Sequence, residues 1–189
     1  MRLSFAILWS LTAFVFPARV AAAPLFGEAG EDFREGTWAW EVGGSYIHPI
    51  RFSESKFYNA HFAASYYFGD DVSVGGMVEG YYADQVFEDT GIVGAGLQIR
   101  WHFLEAERFS LFVDGGIGFT IADDEVPEGG THFNYTPRGG VGASFELDEG
   151  VHLLGAVRFW HISNGNLHGR DENPSQDGIQ YYVGVMFTF

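Results

Sequence analysis

Cysteine is absent from the 189 residues, which removes disulfide staples, thiolate metal centres and a thiol nucleophile from the possibilities. Lysine is nearly absent: Lys56 stands alone, and 10 basic residues face 25 acidic ones for a formal charge of -15. No basic patch is visible, which argues against nucleic acid, whose phosphates need clustered Lys and Arg. Past the first residues no run of 18 apolar side chains occurs, so no transmembrane helix is expected. What the chain does have is aromatics at 17%, 26 glycines and 47% apolar residues, at a mean hydropathy of -0.00. Apolar residues are therefore interleaved with polar ones, the compositional mark of a membrane barrel.

The first residues read as a targeting segment. Met1-Arg2 gives a positive start, Leu3 to Phe16 is an apolar run, and Val20-Ala21-Ala22 offers small residues for a signal peptidase. Cleavage after Ala22 or Ala23 is expected, and Pro24 favours the former, giving a signal peptide over 1–22 and one mature domain over 23–189. Losing Arg2 and Arg19 leaves 8 basic against 25 acidic residues, a charge of -17.

The mature chain alternates with period two. From Ile92 to Leu104 the odd positions Val93, Ala95, Leu97, Ile99, Trp101 and Phe103 are apolar, against Gly94, Gly96, Gln98, Arg100 and His102. Phe109 to Ile121 and Thr131 to Leu147 repeat the pattern, and weaker versions occupy Trp38 to His48, Phe57 to Phe68, Val72 to Tyr82, Val151 to Ser163 and Ile179 to Phe189. That makes eight strands with one apolar and one polar face. In water such a face needs a second layer, and no amphipathic helix is left to supply it. In a bilayer, lipid covers the apolar face and closure satisfies the edges, so the expectation is an all-β, eight-stranded antiparallel transmembrane β-barrel.

Short three-residue turns (Gly69 to Asp71, Glu105 to Glu107, Asp148 to Gly150) alternate with longer loops (His48 to Lys56, Ala83 to Asp89, Ala122 to Gly130, Asn164 to Gly178), as periplasmic turns alternate with extracellular loops. Outward aromatics at the short-turn end, among them Trp38, Trp40, Trp101, Phe109, Phe145 and Phe187, form an interfacial girdle. The terminal Phe189 resembles the assembly signal of bacterial outer-membrane barrels. Inward, Asp114, Arg138 and Arg158 sit mid-strand and read as a paired lumen network; an eight-stranded barrel is filled by its own side chains, and no open channel is expected. The histidines scatter over different strands without the short spacings of zinc sites, so no metal is expected.

Candidate chemistry lies at the end of the seventh strand, Val157-Arg-Phe-Trp-His-Ile-Ser-Asn-Gly-Asn166. His161 and Ser163 are two apart, so both side chains leave the same face, about 7 Å apart at the backbone. Parity from Val151, Leu153, Val157 and Phe159 carries that pair to the outward face beside the last extracellular loop. As rim residues they would simply cap a turn. As a base and a nucleophile at the outer-leaflet level they reach lipid ester bonds.

The segments His161-Ile-Ser163-Asn164-Gly165 and Asp177-Gly178-Ile179-Gln180 resemble the outer-membrane lipid A 3-O-deacylases of the PagL type, eight-stranded barrels with a late His-x-Ser-Asn motif and an Asp-Gly-Ile-Glu-like opening to the last strand. The resemblance implies that Ser163 is the nucleophile, His161 its base, Asn164 an oxyanion stabiliser, and the substrate the ester-linked 3-hydroxyacyl chain at position 3 of lipid A, in lipopolysaccharide, with no cofactor. It places the protein in the bacterial outer membrane with its active site near the extracellular end. Where the family has a glutamate to orient the histidine, this chain has Gln180, which can fix the tautomer without offsetting the imidazolium charge. Glu172, Asp171 and Asp177 in the preceding loop are the alternative acids. Outward catalytic residues also leave room for a second copy of the barrel to cover them as a homodimer. The competing reading is a non-enzymatic small barrel that acts in adhesion or membrane integrity through its acidic loops.

Overall fold

A computed structural model describes residues 31–50, 55–86, 88–167, 169 and 173–189. The expected signal peptide and its cleavage site, together with Asp171 and Glu172, lie outside the described residues. Eight strands follow a single 3-10 turn at Glu31–Phe33: β1 (Trp38–Pro49), β2 (Lys56–Gly69), β3 (Val72–Asp84), β4 (Thr90–Ala106), β5 (Phe109–Val126), β6 (Thr131–Asp148), β7 (Val151–Ile162) and β8 (Gln176–Thr188). Each pairs antiparallel with its neighbour, and β1 pairs with β8, so the sheet closes into a barrel with no free edge.

Alternation decides which face is which. Along β1, Trp38, Trp40 and Val42 are exposed at 48%, 52% and 55%, whereas Ala39 and Glu41 between them are at 2% and 3%. Large apolar residues on the outside and charges on the inside invert a soluble barrel, and they match a lipid-facing wall. The short turns are tighter than expected, with two residues each at Asp70–Asp71, Glu107–Arg108 and Glu149–Gly150. Beside each turn the register slips by one residue, between Tyr67 and Gly69, His102 and Leu104, and Glu146 and Asp148. At each slip the register passes over one residue, Phe68, Phe103 or Leu147, the mark of a bulge beside the turn. At the opposite end β5 runs on to Val126, into what the sequence marks as loop; Asn134 donates from Nδ2 to Val126 O at 2.7 Å and to Thr131 O at 2.8 Å, tying the extension down.

The lumen has three levels. At the loop end Ile47, Phe57, Tyr81, Trp160 and Ile162 form an apolar cluster. At the turn end Phe33 enters the barrel and stacks on His102 at 3.9 Å, over Tyr67, Phe112, Leu154 and Met186. Between them lies the charge network. Arg100 donates to Glu41 at 2.8 Å and lies 3.4 Å from Asp114, Arg158 pairs with Asp114 at 2.6 Å, and Glu41 also accepts from the Tyr182 hydroxyl at 2.8 Å. Arg138 is not part of this group: it pairs with Glu79 at 2.8 Å and with the Tyr81 hydroxyl at 2.9 Å. Asp114, Arg138 and Arg158 are thus all paired, in two clusters where the sequence reading has one.

Candidate active site

The odd parity of β7 carries His161 to the outer face, and the strand register sets its neighbour. His161 stands directly opposite Asp177 of β8, and its Nδ1 lies 2.7 Å from Asp177 Oδ1. A carboxylate only accepts, so Nδ1 carries the proton and donates it. In the neutral ring that leaves Nε2 as the basic nitrogen. Side-chain exposures of 27% for His161 and 21% for Asp177 place the pair at the surface without leaving it fully in solvent.

Ser163 lies one residue past the end of β7 and is held by an isolated bridge to β6: Tyr135 N–H donates to Ser163 O at 2.7 Å, and Ser163 N–H donates to Tyr135 O at 3.2 Å. Strand geometry therefore persists through Ser163, which keeps its side chain on the face of His161. The chain then reverses. Gly165 and Asn166 both take left-handed backbone, at φ 64° and 63°, and Leu167 N–H closes the turn on Asn164 O at 3.3 Å. Two successive positive φ values favour glycine and asparagine, the residues present.

Asn164 is buried, at 1% exposure. Its Oδ1 accepts from Asn166 N–H at 2.9 Å, and its own N–H donates to Asn173 Oδ1 at 3.0 Å. Asn173 also donates from Nδ2 to Asn166 Oδ1 at 2.9 Å, clamping the turn from across the loop. The orientation of the Asn164 carboxamide is thus fixed by the turn itself.

Gln180 lies where the parity of β8 puts it. It sits on the inner face of β8, 1% exposed, and donates from Nε2 to Ser45 Oγ at 2.8 Å. His161 points out through the other side of the wall, so Gln180 does not support it, and no bulge interrupts the pairing of β7 with β8 to turn it round. Glu172, the alternative acid, lies outside the described residues. Asp177 is the carboxylate that the register brings to the histidine, and Asn173 is a contact the sequence reading missed.

His61, His102 and His152 are buried and paired inside the barrel. His61 Nε2 lies 3.1 Å from Glu41 and His152 Nε2 lies 3.1 Å from Asp32. His102 makes a second histidine–serine pair, with Nδ1 2.7 Å from Ser110 Oγ. Its Nε2 meets the Tyr67 hydroxyl at 3.3 Å, not a carboxylate, and the ring is fully buried. Among the described residues, the pair at the end of β7 joins a carboxylate-oriented imidazole to a serine on the outer face of the wall.

A family model described as lipid A 3-O-deacylase (PagL) matches residues 55–186. Among solved structures, neisserial surface protein A aligns with a TM-score of 0.62 at 14% identity, covering 82% of this chain and 100% of that one. The outer-membrane enzyme PagL aligns at 0.61 and 15%, covering 76% and 97%, and the N-terminal β-barrel domain of Pseudomonas aeruginosa OprF at 0.55 and 15%, covering 82% and 98%. These likenesses are of fold. No curated protein sequence matches the chain.

Proposed function

Because this chain belongs to the lipid A 3-O-deacylase (PagL) family, whose members are outer-membrane hydrolases acting on lipid A, we propose that it removes the ester-linked 3-hydroxyacyl chain at position 3 by serine catalysis. The observation that carries the mechanism is the 2.7 Å contact of His161 Nδ1 with Asp177, on the outer face two residues from Ser163.

Ser163 Oγ attacks the ester carbonyl while His161 Nε2 takes the hydroxyl proton. The imidazolium that forms is offset by the Asp177 carboxylate, which also holds the tautomer. Charge developing on the carbonyl oxygen is met by the side-chain amide of Asn164, held by Asn166 and, through the backbone, by Asn173. The tetrahedral intermediate expels the sugar oxygen, which takes the proton back from His161. Water, deprotonated by the same imidazole, then attacks the acyl-serine, releasing a 3-hydroxy fatty acid and regenerating Ser163. This cycle needs no cofactor. The site's position on the lipid-facing wall at the loop end suits a substrate that is itself a membrane lipid of the outer leaflet, because its ester reaches Ser163 without leaving the bilayer.

The test is mass spectrometry of lipid A from cells carrying the wild-type barrel or Ser163→Ala at matched, folded levels. Loss of one 3-hydroxyacyl chain in the wild-type strain alone is the expected result. Identical lipid A in the two strains would sink the proposal.

A further inference from the structure

The wall on the β6 side of Ser163 is aromatic. Tyr135, the bridge partner of Ser163, lays its ring against the turn that follows the serine, so close that a Cβ at Gly165 would come within 3.3 Å of Tyr135 Cε2. Phe119 meets that ring edge-on at 5.5 Å and 68°, and Phe133 at 5.2 Å and 83°. Phe119 is 45% exposed, so the trio faces outward with β7 and β8 to its side. Holding Ser163 does not require it: the bridge runs through the Tyr135 backbone, and other residues supply the same N–H and C=O. The ring therefore has a role left to explain.

We propose that Tyr135, braced by Phe119 and Phe133, is the platform on which the sugar ring bearing the scissile ester stacks. The inference rests on the reading of Ser163 as nucleophile. An ester at Ser163 has two halves to place. Its alkyl half finds apolar surface over much of the outer wall, including Val157 and Phe159 below the site on the same strand. Its sugar half presents C–H groups on a ring face and hydroxyls at the ring edge. A tyrosine matches that surface, with an apolar face and a hydroxyl that stays in water. On the β8 side, the position opposite His161 is filled by the Asp177 carboxylate. On the β6 side, Tyr135 is one strand spacing from the nucleophile's backbone, about 4.8 Å.

The experiment compares two esters of the same 3-hydroxy fatty acid, lipid A and the methyl ester, with purified barrels in detergent micelles and fatty-acid release as the readout. For Tyr135→Leu, KM for lipid A should rise about tenfold with kcat retained, the size of one lost aromatic contact, while hydrolysis of the methyl ester stays at the wild-type rate. Tyr135→Phe, which keeps the ring, should match wild type on both. Equal loss on both esters, or on neither, overturns the platform. Wild-type barrel that cleaves neither ester overturns the esterase reading itself, which separates the two failures.

Discussion

Asp177 and Gln180 are three residues apart on one strand, yet only Asp177 reaches His161, because an odd separation puts their side chains through opposite sides of the wall. This contrast yields a paired prediction. Asp177→Asn keeps an oxygen to accept the Nδ1 proton but removes the charge that offsets the imidazolium, and the equivalent change in a serine-protease triad lowers turnover about 10⁴-fold. Gln180→Leu, which breaks only the bond to Ser45, should leave turnover unchanged. Fatty-acid release at matched folded protein measures both, and an active Asp177→Asn beside an inactive Gln180→Leu would reverse the assignment. The parity was legible in the sequence, since a period of two places His161 and Ser163 outside and Gln180 inside whatever the strands pair with. The partner of His161 was not. A long loop separates β7 from β8, and its length in residues does not fix which acid stands opposite the histidine; only the ladder of pairs from Val151–Phe187 to Ile162–Gln176 does. The clamp of Asn173 on Asn164 was hidden for a similar reason, being a side-chain contact across a loop with no period to betray it.

At the scale of elements, the turns repay the same comparison. Their positions could be read from Asp, Gly and Glu clusters between alternating segments, but the neighbouring bulges could not, because a slip of one residue leaves composition unchanged. The β2–β3 turn carries a titratable consequence. Asp71 adopts left-handed backbone at φ 67° and is fully buried, with burial first and the negative charge of Glu105 second pushing its carboxyl from an ordinary 3.8 up to about 8. Between those values the folded protein holds a proton that the unfolded chain has released. Stability contributed by this group is therefore present in acid and lost as pH rises through about 8. The thermal midpoint should fall on going from about pH 5 to about pH 9, and Asp71→Asn, which tolerates the left-handed backbone and cannot ionise, should flatten that dependence. Since other groups titrate over the same range, the difference between the two curves is the measurement; parallel curves would remove Asp71 as its source.

Over the whole molecule, stability and chemistry are divided by the wall of the barrel. Inside, apolar clusters at both ends enclose charges that are costly to bury unless paired. Outside, the proposed catalytic groups share the lipid-facing surface with residues whose role is to meet the bilayer. A change confined to the lumen should then act on stability alone. Asp114 is the sharpest place to look, since it lies between Arg100 and Arg158 at 3.4 and 2.6 Å. With Asp114→Ala, Arg100 keeps Glu41 at 2.8 Å, but among the described residues Arg158 keeps only the face of Tyr182, 4.4 Å from the ring centre. A guanidinium stranded in this way costs about 3–5 kcal/mol, which denaturant titration of the detergent-solubilised barrel would register as a lower midpoint. Turnover per folded molecule should be unchanged, because Asp114 and Arg158 face inward while Ser163, His161 and Asp177 belong to the outer face. If the folded fraction of Asp114→Ala instead lost activity, the lumen charges would have to be reaching the site through the backbone of β7, on which Arg158 lies three residues before His161.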